Sequence, residues 1–132
     1  MKKITKLLPL LAVLMGASVA QAAETTIELK DNSPILGKWE IYAEAAAMHK
    51  EKKKVNIEWD FRKNGVLHAT AKDARARTGT TAIKISYSIK EGAIEKQTAP
   101  GRSKYETCRV TKLEGSEMIL HCKYLYFFMK KK

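Results

Sequence analysis

Residues 55–71 read VNIEWDFRKNGVLHATA, and this stretch decides the fold. Val55, Ile57, Trp59 and Phe61 alternate with Asn56, Glu58, Asp60 and Arg62, the period of two that a strand with one buried face requires. Lys63-Asn64-Gly65 is a strong turn signal, and Leu67, Ala69 and Ala71 carry the apolar phase back. A three-residue loop sets Phe61 opposite Leu67, Trp59 opposite Ala69 and Ile57 opposite Ala71, so one face of the hairpin is wholly apolar. A two-residue loop opposes Phe61 to His68, so the longer loop is the expected one.

The same alternation extends along the chain. Ile83, Ile85, Tyr87 and Ile89 predict a strand that turns at Glu91-Gly92 into Ala93–Thr98. Tyr105–Leu113 and Glu117–Phe128 predict a last hairpin around Glu114-Gly115-Ser116. There Cys108 falls opposite Cys122, and Met118, Leu120, Cys122, Tyr124 and Tyr126 share a face. Opposed residues of an antiparallel pair lie about 4.5–5.5 Å apart, within reach of a disulfide. Upstream, Ile35–Tyr42 reads as another strand, and residues 25–30 as an optional eighth. Ala43–Lys53 has helical composition but suits a flap equally well. Seven or eight sequential strands with no βαβ unit predict an all-β, antiparallel up-and-down meander closing into a barrel.

Met1–Ala22 carries Lys2, Lys3 and Lys6 ahead of a short apolar run and ends in Ala20-Gln21-Ala22, the pattern of a secretory signal cut after Ala22. The run is shorter than the roughly 20 residues that span a bilayer, so the cleaved chain is not expected to be membrane-spanning. Residues 23–132 then form a single domain, periplasmic or secreted, where Cys108 and Cys122 are expected to pair.

With the meander drawn, the residues resemble a lipocalin-like (calycin) small β-barrel. Gly37-Lys38-Trp39 forms a G-x-W on the first strand, followed by a long first loop and then tight hairpins, although the family's second motif, a T-D-Y-like triplet, has no counterpart. The resemblance spans roughly Ile35–Met129 and implies that Gly37 and Trp39 are the barrel-base motif. It also implies that the ring packs against a basic residue of the last strand, with Lys123 and Lys130 as candidates.

No catalytic motif is present: there is no G-x-S-x-G, no H-E-x-x-H and no Gly-rich phosphate loop, and His49, His68 and His121 are scattered. No catalytic residue, cofactor or metal is expected. Glu58, Asp60 and Arg62 read as solvated charge, and His68 and His121 as surface residues. The formal net charge is +11. In the meander, 12 of the 22 basic residues after the signal gather at the end away from the G-x-W, with Lys130, Lys131 and Lys132 among them. Trp59, Phe61, Tyr87, Tyr124 and Tyr126 all alternate inward, which argues against nucleic-acid binding.

These features predict a barrel that takes a small hydrophobic or anionic amphiphilic ligand such as a fatty acid or lipid. Its chain is expected between Ile57, Trp59, Ile85, Tyr87 and Tyr124, and its head near Lys52, Lys53, Lys54, Arg75, Arg77 and Arg102. The alternative is a barrel with a filled core whose basic end contacts an anionic envelope surface or an acidic protein partner.

Overall fold

The computed structural model describes residues 25–72 and 80–132. Eight antiparallel strands follow in chain order: β1 (Gly37–Ala45), β2 (Lys53–Phe61), β3 (Val66–Lys72), β4 (Thr80–Lys90), β5 (Ala93–Gln97), β6 (Tyr105–Glu114), β7 (Glu117–His121) and β8 (Tyr126–Lys131). Each pairs with the next, and β8 returns to β1 to close the barrel.

The β2–β3 register is the one the apolar phase demands: Phe61 meets Leu67, Trp59 meets Ala69 and Ile57 meets Ala71. Gly65 takes φ +86° and lets the Arg62 and Val66 backbones close the loop. At the β4–β5 turn both Glu91 and Gly92 have positive φ, the hand that matches strand twist. Cys108 and Cys122 form a disulfide with their Cα atoms 4.0 Å apart.

Three departures from simple alternation shape the rest. The last predicted strand is two strands, because the chain turns at Cys122–Leu125, where the Cys122 N–H donates to the Leu125 carbonyl (2.9 Å). The eighth strand is therefore β8. Residues 25–30 form no strand: Ile27 makes an isolated bridge with Val110, and the buried Leu29 donates its N–H to the Gly92 carbonyl (3.0 Å). This extra reversal carries the C-terminus to the opposite end of the barrel from the one expected.

The second departure is a register shift between Ile41 and Ala43, where Tyr42 is the extra residue against β8 and β2 carries an extra residue between Lys54 and Ile57. Before it, Trp39 and Ile41 face the core. After it, Ala43 and Ala45 pack in a separate cluster with Phe128, Tyr42, Ile119 and Tyr126 on the outer side of the wall. Residues 46–52 are a turn-rich loop and not a helix, and Lys52 Nζ lies 4.3 Å from the Phe128 ring centroid. The third is a bulge at Thr111, which shortens the predicted Glu114-Gly115-Ser116 loop to the two residues between the paired Glu114 and Glu117. The disulfide end of that hairpin keeps the expected phase, with Val110 opposite Leu120.

The G-x-W end is closed by packing. Ser33–Ile35 is a 3-10 turn whose Ile35 is fully buried, and its carbonyl accepts the Trp39 Nε1–H at 2.9 Å. The basic residue over the Trp39 ring is Lys131, 4.9 Å from the centroid, and its ammonium also donates to the Leu36 carbonyl. The two expected candidates stand elsewhere: Lys123 lies over Tyr124 and Lys130 over Tyr42. Gly37 is required here because its φ is +105° and a Cβ would come within 2.8 Å of Lys131 Nζ.

Candidate ligand site at the open end of the barrel

The barrel is filled in one half and open in the other. Trp39, Phe61, Leu67, Ile94, Met118, Leu120 and Met129 fill the G-x-W half. Ile85 and Tyr87 belong to this packed half, at 5% and 4% exposure, so a ligand chain does not pass between them. The Tyr87 phenol reaches the closed end, where it donates to the Arg62 carbonyl (2.6 Å) and accepts from Asn32 Nδ2 (3.0 Å). Burial pushes its pKa up.

Ile57 and Trp59 do meet at a pocket. With Ala69, Thr70, Ala71, Thr81 and Ile83 they line an apolar cavity of about 210 Å³ between β2, β3 and β4. A depression of about 400 Å³, lined by Lys54, Val55, Asn56, Ile57, Ala71 and Lys72, lies above it at the rim, and the two share Ile57 and Ala71. Small residues at 69 and 71 leave the space that the neighbouring aromatic rings do not fill.

The wall beside the pocket is incomplete. β5 pairs with β4 only over Tyr87–Lys90, so Thr80–Ser86 has β3 as its ladder partner and no β5 residue across from it. At the end of the gap the Ser86 N–H donates to Gln97 Oε1 (2.7 Å), and Gln97 Nε2 donates to the Arg102 carbonyl. Ile83, 37% exposed, stands where the wall opens.

Trp59 is the hub of this half. Its ring lies 6.0 Å from Phe61 beneath it, 5.4 Å from Phe127, and 5.2 Å from Lys96 Nζ. Lys96 had no place in the expected site. It sits two residues after the buried Ile94, opposite Tyr87 on one side and Glu106 on the other, and its Nζ is 2.8 Å from a Glu106 carboxylate oxygen. Strand phase alone pointed to both charges, since Glu106 also lies two residues before the buried Cys108. The carboxylate of Glu106 and the sulfurs of Cys108 and Cys122 come within 4.8 Å of one another, but both sulfurs are in the disulfide and Glu106 is held by Lys96.

The basic rim is smaller than expected. Lys53 and Lys54 start β2 at the open end and are exposed, as is Arg102 in the β5–β6 loop. Lys52 leans outward onto Phe128. Arg75 and Arg77 lie outside the described residues. Lys130, Lys131 and Lys132 belong to the closed end, where Lys132 pairs with Glu58 at 2.9 Å. Tyr124 is 74% exposed on the β7–β8 turn, and Tyr126 stacks on His121 outside the barrel, so neither faces the interior. Asp60, expected as solvated charge, is 7% exposed and held by Arg62 Nε at 2.7 Å.

The closed eight-strand meander with the G-x-W tryptophan at its packed base is a lipocalin-like fold. No family model and no curated protein matches the chain. Among solved structures, a lipocalin-like protein from Bacteroides uniformis is similar over 76% of this chain and all of its own, with a TM-score of 0.62 and 19% identity. An uncharacterized protein from Bacteroides eggerthii is similar over 74% of this chain and 98% of its own, with a TM-score of 0.59 and 17% identity.

Proposed function

We propose that this is a periplasmic or secreted binding protein for a small apolar or anionic amphiphilic ligand, such as a fatty acid or lipid. The observation that carries the reading is the apolar pocket of Ile57, Trp59, Ala69, Ala71 and Ile83 beneath a rim bearing Lys53, Lys54 and Lys72. Apolar walls take the chain, and converging cations raise the local concentration of anions at the mouth. The lysine-led apolar start of the sequence and the buried disulfide support an oxidising compartment.

The test is a titration of decanoate and decan-1-ol, followed through the tryptophan emission. The wild type is expected to bind both, with decanoate the tighter at low salt. Lys53→Ser with Lys54→Ser removes that preference. Salt does the same, since the Debye length falls from about 10 Å at 0.1 M to about 3 Å at 1 M. Failure of both ligands to bind rejects the reading.

One observation favours a second reading. The cavity of about 210 Å³ is below the roughly 300–1,000 Å³ usual for ligand pockets. A barrel that is in effect filled would serve instead as an interaction module, meeting an anionic envelope surface or an acidic protein through its lysines.

A further inference from the structure

Lys96 and Glu106 take no part in the reading above. Among the described residues, the buried charged positions are Asp60, on the outer phase of β2, and Lys96, on the inner phase of β5. Lys96 Nζ reaches to 5.2 Å from the centroid of Trp59, the ring that also walls the apolar pocket. A ligand chain lying on Trp59 therefore comes within about one ring of an interior cation. That cation is already engaged, because Glu106 faces it across the β5–β6 ladder at 2.8 Å, with the two side chains 10% and 23% exposed.

We propose that Lys96 and Glu106 form the charge-selecting element of the barrel: the pair is closed on itself, so the interior takes the uncharged part of a ligand and refuses a carboxylate, and an anionic head group stays at the rim. The inference rests on the barrel being an amphiphile site and assigns the orientation of what it binds. Its physical basis is charge balance. A ligand carboxylate brought beside Lys96 sets two anions against one cation in a space with little water, and detaching Glu106 to make room leaves that carboxylate without a partner. A methylene chain meets neither cost. Selectivity then comes as much from what the interior rejects as from what the rim attracts.

The inference is tested by titrating decanoate and decan-1-ol into the wild type, Glu106→Gln, and the double variant Lys96→Met with Glu106→Gln. Freeing the cation in Glu106→Gln is expected to tighten decanoate by about ten- to a hundred-fold, the worth of one charge-assisted hydrogen bond. That gain is expected to survive 1 M salt, to leave decan-1-ol unchanged, and to vanish in the double variant. Wild-type decanoate binding, with its head at the rim, is expected to weaken in 1 M salt. Should Glu106→Gln fold poorly alone, its rescue by decanoate and not by decan-1-ol is the same result. Equal decanoate affinity in wild type and Glu106→Gln overturns the proposal, as does salt-independent decanoate binding by the wild type. With equal affinities the binding reading stands and only the orientation falls; salt-independent binding also removes the role given to the rim lysines, and absence of binding by either ligand in every variant removes the binding reading itself.

Discussion

Trp39→Ala is expected to lower stability by about 3–5 kcal/mol, the usual cost of emptying a large aromatic site in a core. In a domain of about 100 residues that corresponds to a fall in melting midpoint of about 12 °C or more. Three losses coincide at this position. The ring is 2% exposed and fills the closed end. Its Nε1–H satisfies the carbonyl of Ile35, itself fully buried, and that acceptor would be orphaned. The ring also supports Lys131 Nζ, which ties the last strand to the first. Trp39→Phe keeps much of the volume but neither the hydrogen bond nor the full ring face, so it is expected to fall between the two. A Trp39→Ala protein that melts with the wild type would show that the base is not packed around this ring.

Replacing both cysteines by Ala is expected to cost about 3 kcal/mol. Cys108 and Cys122 are 14 residues apart in sequence, and a loop of that size restricts the unfolded chain by about that amount in the chain-entropy model. With urea m-values of about 1–3 kcal/mol/M, the midpoint is expected to move by at least about 1 M. Both sulfurs are in the disulfide, so thiol labelling of the unreduced protein is expected to modify neither, even when it is unfolded in urea. Coincident urea curves for the wild type and the double variant would contradict the assignment.

Elements announced by a turn residue were legible in the sequence. Asn64-Gly65 and Glu91-Gly92 mark their hairpins, and the apolar phase of Ile57, Trp59 and Phe61 sets the β2–β3 register without help from tertiary structure. The disulfide followed from the same phase. The β7–β8 turn was not legible, because Cys122-Lys123-Tyr124-Leu125 contains no Gly, Pro, Asn or Asp and the even-numbered apolar phase of Met118, Leu120 and Cys122 continues into Tyr124 and Tyr126. That one turn moved Tyr124 out of the interior, sent Lys130–Lys132 to the closed end, and made Lys131 the partner of Trp39. The register shift at Tyr42 was hidden for a related reason: Ala43 and Ala45 are apolar on the outer phase, and only the cluster around Phe128 explains them. Lys96 and Glu106 were in plain phase with Ile94 and Cys108, but alternation is read from apolar residues, and an inward ion pair looks like two surface charges.

Native mass spectrometry of the protein purified from its own compartment tests the binding reading most directly. A species heavier than the polypeptide by a few hundred daltons is expected, one that dissociates on unfolding and is replaced when decanoate is added. The polypeptide mass alone, unchanged by added decanoate or decan-1-ol, would contradict it and leave the filled-barrel reading in its place.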